Sequence, residues 1–87
     1  MLQELIGDEV VVDLRSPFVC LGTLTAVDET WLEVRDVDLH DLRDTQSTRE
    51  NYVAESRATG IKRNRTRVLV VRADVVAIGR LADVVDE

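Results

Sequence analysis

The sequence predicts a mainly β fold: a small, strongly bent, five-stranded antiparallel barrel with a short N-terminal helix and a helical insertion between strands 3 and 4. Near the end of the chain, two β-branched runs, Val68–Val71 and Val75–Ile78, flank the charged tripeptide Arg72-Ala73-Asp74. Such runs are typical of two successive strands around a tight turn. Three further strand-like segments lie upstream. A bent barrel buries five strands economically, because closure hides edges that an open sheet would expose.

The spacing of apolar residues predicts the first elements, a short helix and strand 1. Leu2, Leu5 and Ile6 have helical spacing before Gly7, which can end a helix, so a short helix opens the chain. Glu9–Leu14 then places Val10, Val12 and Leu14 on one face and Val11 and Asp13 on the other, which predicts strand 1. The tripeptide Arg15-Ser16-Pro17 is the turn after it, since proline cannot donate to a strand ladder.

Strands 2 and 3 are separated by the turn Val27–Thr30. Phe18–Val27 is the longer strand, and Gly22 within it indicates a sharp bend or a close backbone contact. Trp31–Leu39 is strand 3. The runs Val68–Val71 and Val75–Ile78 are strands 4 and 5, and both are apolar on both faces. We therefore expect another part of the barrel or another subunit to cover them.

Residues 41–65 lack strand-like alternation and form the predicted insertion. Ser47-Thr48-Arg49-Glu50 fits a capping box with Ser47 as the N-cap, and Gly60 supplies a stop. The helix therefore spans Thr48–Thr59. Its apolar stripe is narrow, so we expect it to dock on the end of the barrel and to be less stable than the strands. Residues 1–87 make one domain.

The amino-acid composition and net charge limit the functions that the chain can have. The chain is 45% hydrophobic with one Trp, one Tyr and one Phe, which indicates an aliphatic core, and its net charge is −6. This charge argues against a surface that binds nucleic acid everywhere through phosphates. A basic cluster nevertheless stands before strand 4, and it is either a solvated face or a local binding surface. Its members are Lys62, Arg63, Arg65 and Arg67.

The cysteine and the N-terminus bear on location. Cys20 is the one cysteine and lies in an apolar run, so we expect a buried thiol and a reducing compartment. No basic segment followed by a long apolar run opens the chain, which predicts neither a signal peptide nor a membrane span. A cytoplasmic location is the expectation.

Motifs for catalysis are missing from the sequence. It contains no nucleophile elbow, no phosphate-binding glycine loop and no cysteine-rich metal pattern, so we expect neither an enzyme nor a cofactor. The nearest approach to a metal site is Asp36, Asp38 and His40, which period-two spacing places on one face of strand 3. The alternative is that these polar residues form the solvent-exposed face of a strand that runs into a loop. We prefer this interpretation, so no metal site is predicted.

Three segments together resemble the Sm-like family, which includes the eukaryotic Sm and Lsm proteins and bacterial Hfq. Gly7–Val12 is similar to the family's first strand. Cys20–Leu24 with Val27-Asp28 is similar to its bent second strand and the following turn. Val70–Val76 is similar to its second motif, a strand that ends in arginine and glycine before a short valine-rich strand. The insertion falls where the family varies in length, so the resemblance covers nearly all of the remaining chain.

The resemblance implies a closed homo-oligomeric ring of about five to eight subunits, in which strand 4 of one copy pairs with strand 5 of the next. The implied interface residues are Val68, Val70, Val76 and Ile78. It also implies RNA binding in the central pore by Asp28, Trp31 and Arg72. The chain departs from the motifs, because the first lacks its asparagine, Ala73 replaces the second motif's glycine, and the Tyr-Lys-His signature of Hfq is absent.

The sequence thus leaves three functions open. The first is a ring that serves RNA or a ribonucleoprotein and binds single-stranded RNA, but neither duplex DNA nor membranes. The second is a homo-oligomeric scaffold that has lost RNA binding, with Trp31 as a core or interface anchor. The third is a monomeric barrel within a larger assembly. One continuous basic surface would favour RNA, whereas an acidic pore would favour the scaffold. The residues expected to carry RNA binding are Asp28, Trp31, Arg72, Lys62, Arg63 and Arg65.

Overall fold

The computed structural model describes residues 1–44 and 46–85. Five antiparallel strands form one sheet, and a single α-helix is inserted between the third and fourth of them. The predicted mainly β fold class, with its five bent strands and helical insertion, is confirmed. The elements are β1 Glu9–Leu14, β2 Phe18–Val27, β3 Trp31–Asp41, α1 Arg49–Thr59, β4 Arg65–Val71 and β5 Val75–Arg80.

Each strand has an inner and an outer face, and each face carries its own hydrophobic cluster. The inner cluster is the larger one and buries side chains from β1 to β4. The outer cluster lies where α1 and the 3-10 turn Leu81–Asp83 cover β1 and β2. The inner cluster comprises Val10, Val12, Cys20, Leu24, Leu32, Val34, Val37 and Val70, and the outer one comprises Val11, Val19, Leu21, Val53 and Leu81.

Irregular positions bend the sheet, most clearly where Gly22 lies opposite Asp36. A Cβ added at Gly22 would lie 2.7 Å from Val34 Cγ1 and 2.8 Å from the carbonyl oxygen of Arg35, so the close backbone contact predicted there is confirmed. Opposite it, Asp36 has φ +52°, and the pairing of β2 with β3 shifts register between Leu21 and Thr23. Such bulges increase the local twist and bend a strand.

The sheet has the strand order β4-β3-β2-β1-β5, so β4 and β5 are its two edges. Only the three-residue 3-10 turn Arg72–Asp74 joins them, and so short a link requires the sheet to curl its edges towards each other. The strand pairs of the described residues do not include β4 with β5. The barrel is therefore bent but not closed by a hydrogen-bonded ladder.

Several boundaries differ from the prediction. The opening helix is a 3-10 turn, Leu2–Leu5, and β4 begins at Arg65 rather than Val68. The N-cap of α1 is Thr48, not Ser47: the Thr48 backbone is extended, and its Oγ1 accepts a hydrogen bond from the Asn51 backbone N–H at 3.1 Å. The helix packs on the outer face of the sheet through Val53 rather than at a barrel end.

Two further expectations concern the burial of Cys20 and the presence of a membrane-spanning helix. Cys20 is fully buried, as predicted, and burial raises the pKa of its thiol to about 12. Such a thiol stays protonated and unreactive at neutral pH. Within residues 1–44 and 46–85, no helix has the length and apolar character needed to traverse a bilayer.

Candidate functional site: a loop cluster between two open sheet edges

The turns after β2 and β4 lie together and form what we call the loop cluster, Asp28, Trp31 and Arg72. Asp28 Oδ1 accepts hydrogen bonds from the backbone N–H groups of Thr30 (2.8 Å) and Trp31 (2.7 Å). The Arg72 guanidinium donates to the carbonyl oxygen of Asp28, and the Arg72 backbone N–H donates to that of Thr30 at 2.9 Å. The structure therefore brings together the three residues predicted from the family's pore motifs.

The charged groups of Asp28 and Arg72 form hydrogen bonds within the two turns and so stabilise the conformation of the loop cluster. The two backbone N–H donors, with Arg72 nearby, hold the pKa of Asp28 below its usual range, so its carboxylate is charged at neutral pH. The Arg72 side chain reaches across to the neighbouring turn. Trp31 is different, because 41% of it is exposed and its indole ring is available to a ligand or a partner.

Trp31 lines a shallow cleft of about 280 Å³ between the turn and strands β3 and β4. Glu33 sits in this cleft and accepts hydrogen bonds from Thr25 Oγ1 and from Arg67 Nε, both at 2.6 Å. These donors lower the pKa of Glu33 to about 2. The cleft thus offers an aromatic surface and an apolar side chain, Leu69, beside an ion pair that is already satisfied.

The basic cluster lies at the other end of β4. Arg65 and Val71 are the two ends of that strand, which puts roughly 20 Å between Arg65 and Arg72. Arg67 lies closer, since it lines the Trp31 cleft, but it is paired there with Glu33 at 2.6 Å. Arg63 is paired with Asp36 at 2.7 Å, and Lys62 with Glu55 at 3.5 Å. The cluster and Arg72 therefore do not form one continuous basic surface, and much of the cluster's charge is already neutralised.

Asp36, Asp38 and His40, which we considered as a metal site, do not share one face of β3. The bulge at Asp36 breaks the period-two spacing, so Asp36 pairs with Arg63 while Asp38 and His40 lie under α1. Among the described residues, no group of three or more His, Cys, Asp or Glu side chains is arranged to hold a metal ion.

Asp38 instead belongs to a buried polar cluster that the sequence did not reveal. Asp38 is 2% exposed and accepts hydrogen bonds from the Tyr52 hydroxyl and, at 3.3 Å, from Asn64 Nδ2. The ring of His40 stacks on that of Tyr52 with centroids 3.9 Å apart. Burial and the bond to Asp38 raise the pKa of Tyr52, so its hydroxyl remains a donor. These contacts fix α1 to β3.

The two sheet edges expose apolar side chains. On β4, Leu69 is 45% and Val71 41% exposed, and on β5 Val76 is 66% exposed. Of the interface residues implied by the resemblance, Val70 is buried in the inner cluster, and Val68 and Ile78 are partly buried against it. The side chains that β4 offers outward are thus Leu69 and Val71, which its two-residue alternation places on the other face from Val68 and Val70.

Comparison with known proteins bears on the fold. No protein-family model and no curated protein matches the chain. Among solved structures, a chain from the "Crystal structure of the NatC complex bound to CoA" superposes with a TM-score of 0.59. The alignment covers 90% of this chain and 80% of that chain, at 24% sequence identity. The likeness is one of fold.

Proposed function

We propose that this chain is an Sm-like assembly protein whose copies associate through β4 and β5 into a closed ring of about five to eight subunits. The observation that carries the proposal is the pair of open edges. Within the described chain, β4 and β5 are each hydrogen-bonded to a neighbouring strand on one side, and the other side of each is an open edge. Both strands expose apolar side chains. An exposed apolar edge is unstable against pairing, and a ring removes both edges at once.

The charge distribution favours a protein scaffold over an RNA-binding ring. Arg65 stands at the far end of β4 from the loop cluster. The other three basic residues, Lys62, Arg63 and Arg67, are each paired with a carboxylate. The net charge of −6 per subunit adds up around a ring and repels phosphates. The similar chain in the NatC complex is itself part of a protein assembly, which supports association with protein. The single buried thiol fits a reducing compartment, and we propose a cytoplasmic location.

The geometry of the loop cluster supports a second candidate function, binding of single-stranded RNA. Trp31 is exposed next to Arg72, and a base stacked on an aromatic ring contributes about 1–3 kcal/mol. Repetition around a ring would multiply such weak sites through a high effective concentration. In that case Trp31 and Arg72 carry the contact, and the basic cluster adds phosphate contacts.

Two measurements on one preparation separate the candidates. Native mass tests the ring, and fluorescence anisotropy with oligo-U and oligo-A at low salt tests RNA binding. For the RNA function, Trp31→Ala should weaken binding with little change in salt slope, whereas Arg63→Glu with Arg65→Glu should weaken it and flatten that slope. An intact ring that binds neither oligonucleotide establishes the scaffold. A native mass equal to that of one chain would overturn the proposed ring. The remaining proposal would then be that the chain is a subunit of a larger assembly.

A further inference from the structure

A groove of about 370 Å³ lies on the outer face of the sheet, between α1, β5 and the C-terminal segment, and we call it the outer groove. Ala77 and Gly79 of β5 pair with Asp13 and Val11 of β1. Directly paired residues point to the same face, so the two small residues lie on the outer face. Both are exposed, and a Cβ built on Gly79 meets no atom within 4 Å. The helix α1 therefore covers β1 but leaves the outer face of β5 open.

Apolar side chains stand beside this open strand. Val53 of α1 and Val84 line the outer groove and pack in the outer cluster. Val85 lines it as well and is 72% exposed. Exposed apolar surface with a polar rim is typical of protein interaction sites.

The charges that line the outer groove are unbalanced. They belong to Asp13, Arg49, Glu50, Arg80 and Asp83. The Arg49 guanidinium donates to Asp13 at 2.9 Å, and that of Arg80 donates to Asp8 at 2.7 Å. Glu50 and Asp83 are exposed, and the ion pairs of the described residues include neither of them. Two carboxylates beside apolar surface are thus left for an occupant.

We infer, on the basis of the proposed scaffold function, that the outer groove binds a short segment of a partner protein in which aliphatic side chains stand next to lysine or arginine. Charge complementarity determines this occupant, because both guanidinium groups are paired and the two remaining carboxylates attract a cation. The same carboxylates repel the phosphates of a nucleic acid. Ligand clefts measure about 300–1,000 Å³, so this groove accommodates a few side chains. All of its walls belong to one copy, and binding does not require the ring.

A labelled leucine–lysine peptide, followed by fluorescence anisotropy, tests the inference. One control peptide has serine in place of leucine, and a second has glutamate in place of lysine. Both controls should bind at least about tenfold more weakly, and added salt should weaken binding of the parent peptide. Methyl NMR of the valines should place the peptide at Val84 and Val85. Shifts confined to Val27, beside Trp31, would overturn the inference.

Variants of the protein test the floor and the charges of the outer groove separately. Gly79→Leu fills the open space and should weaken peptide binding at least about tenfold, with a smaller effect for Gly79→Ala. The double variant E50K/D83K reverses both free carboxylates and should weaken binding similarly. Its matched control is E29K/D44K, which changes the net charge equally at exposed positions outside the groove and should retain most of the binding. Far-UV circular dichroism and thermal unfolding verify that each variant folds.

Three results would overturn the inference. The first is an equal loss in E50K/D83K and E29K/D44K, which would show attraction to the overall charge of the chain. The second is unchanged binding in Gly79→Leu. The third is a lower native mass of Gly79→Leu without peptide, which would assign the groove to a second copy. An unaltered ring that binds neither oligonucleotide nor the leucine–lysine peptide overturns this inference alone, whereas a monomer that binds the peptide overturns only the ring.

Discussion

At the scale of single residues, the position most sensitive to substitution is Asp38. Its carboxylate is buried and accepts hydrogen bonds from Tyr52 and Asn64. Asp38→Ala therefore removes the acceptor of the partly buried Tyr52 hydroxyl, whereas Asn64 Nδ2 keeps a second acceptor, the carbonyl oxygen of Leu39. We expect a loss of about 1–3 kcal/mol in the free energy of unfolding, measured by urea denaturation. The control Asp36→Asn removes an exposed ion pair and should cost less than about 1 kcal/mol. Equal losses would show that the buried polar cluster contributes no more than the surface pair.

A second residue-scale prediction concerns acid. The pKa of Glu33 falls from 4.5 to about 2 in the fold because Thr25 and Arg67 donate to its carboxylate. A lowered folded-state pKa contributes stability that is complete above pH 4.5 and is lost as the pH falls towards 2. Glu33→Gln should therefore flatten the decline of the urea midpoint over this range, and Thr25→Val should flatten it partly. A decline unchanged in both variants would rule out this contribution.

Residue-scale prediction from sequence succeeded where the cause is local. Gly22 marks a bend because a glycine inside a strand has few other roles, and Cys20 is buried because its neighbours are apolar. Asp38 could not be recognised, since its burial depends on Tyr52 and Asn64, which are far away in the sequence. The bulge at Asp36 turns Asp38 to the outer face, under α1, and a left-handed aspartate leaves no clear pattern in a single sequence.

At the scale of elements, α1 should be the least stable part of the regular structure. Val53, the buried polar cluster and an ion pair between Arg49 and Asp13 of β1 attach it to the sheet, whereas β2 is paired on both sides. Hydrogen exchange should be faster at the amides of α1 than at those of β2. Protection in α1 equal to that in β2 would place the helix in an additional interface.

The N-cap of α1 provides a second test at this scale. Thr48→Ala removes the side-chain acceptor for the Asn51 N–H and should cost about 0.5–2 kcal/mol, measured as faster exchange of the first helical amides. Thr48→Ser keeps the hydroxyl and is the matched control. Failure of serine to preserve protection would show that the cap does not act through its hydroxyl.

The sequence placed this cap one residue early, because Ser47 and Thr48 are both good N-caps and Glu50 made Ser47 fit a capping box. The strands β1 and β2 were predicted with their observed bounds, since alternation and apolar runs define them. The start of β4 was not, because Arg65 and Arg67 are charged and their pairing with β3 is visible only in the fold. Apolar runs alone also cannot show that Leu69 faces solvent.

At the scale of the whole molecule, the bent sheet explains both the open edges and the gathering of the loop cluster. Five strands and a three-residue link between β4 and β5 bring the edges towards each other, yet the strand pairs of the described residues do not include β4 with β5. The assembly that we propose would pair both edges without changing the fold of the chain. In that proposed assembly, the net charge of −6 on each copy would favour binding to proteins over binding to RNA.

We propose that copies of this chain close their sheet edges on one another, and the native mass of the protein is the decisive measurement. Light scattering or native mass spectrometry at micromolar concentration should give one species of about five to eight times the 9.8 kDa mass of one chain. Leu69→Asp should reduce that mass without unfolding the chain. A folded, unaltered protein that remains at 9.8 kDa under the same conditions would contradict the claim.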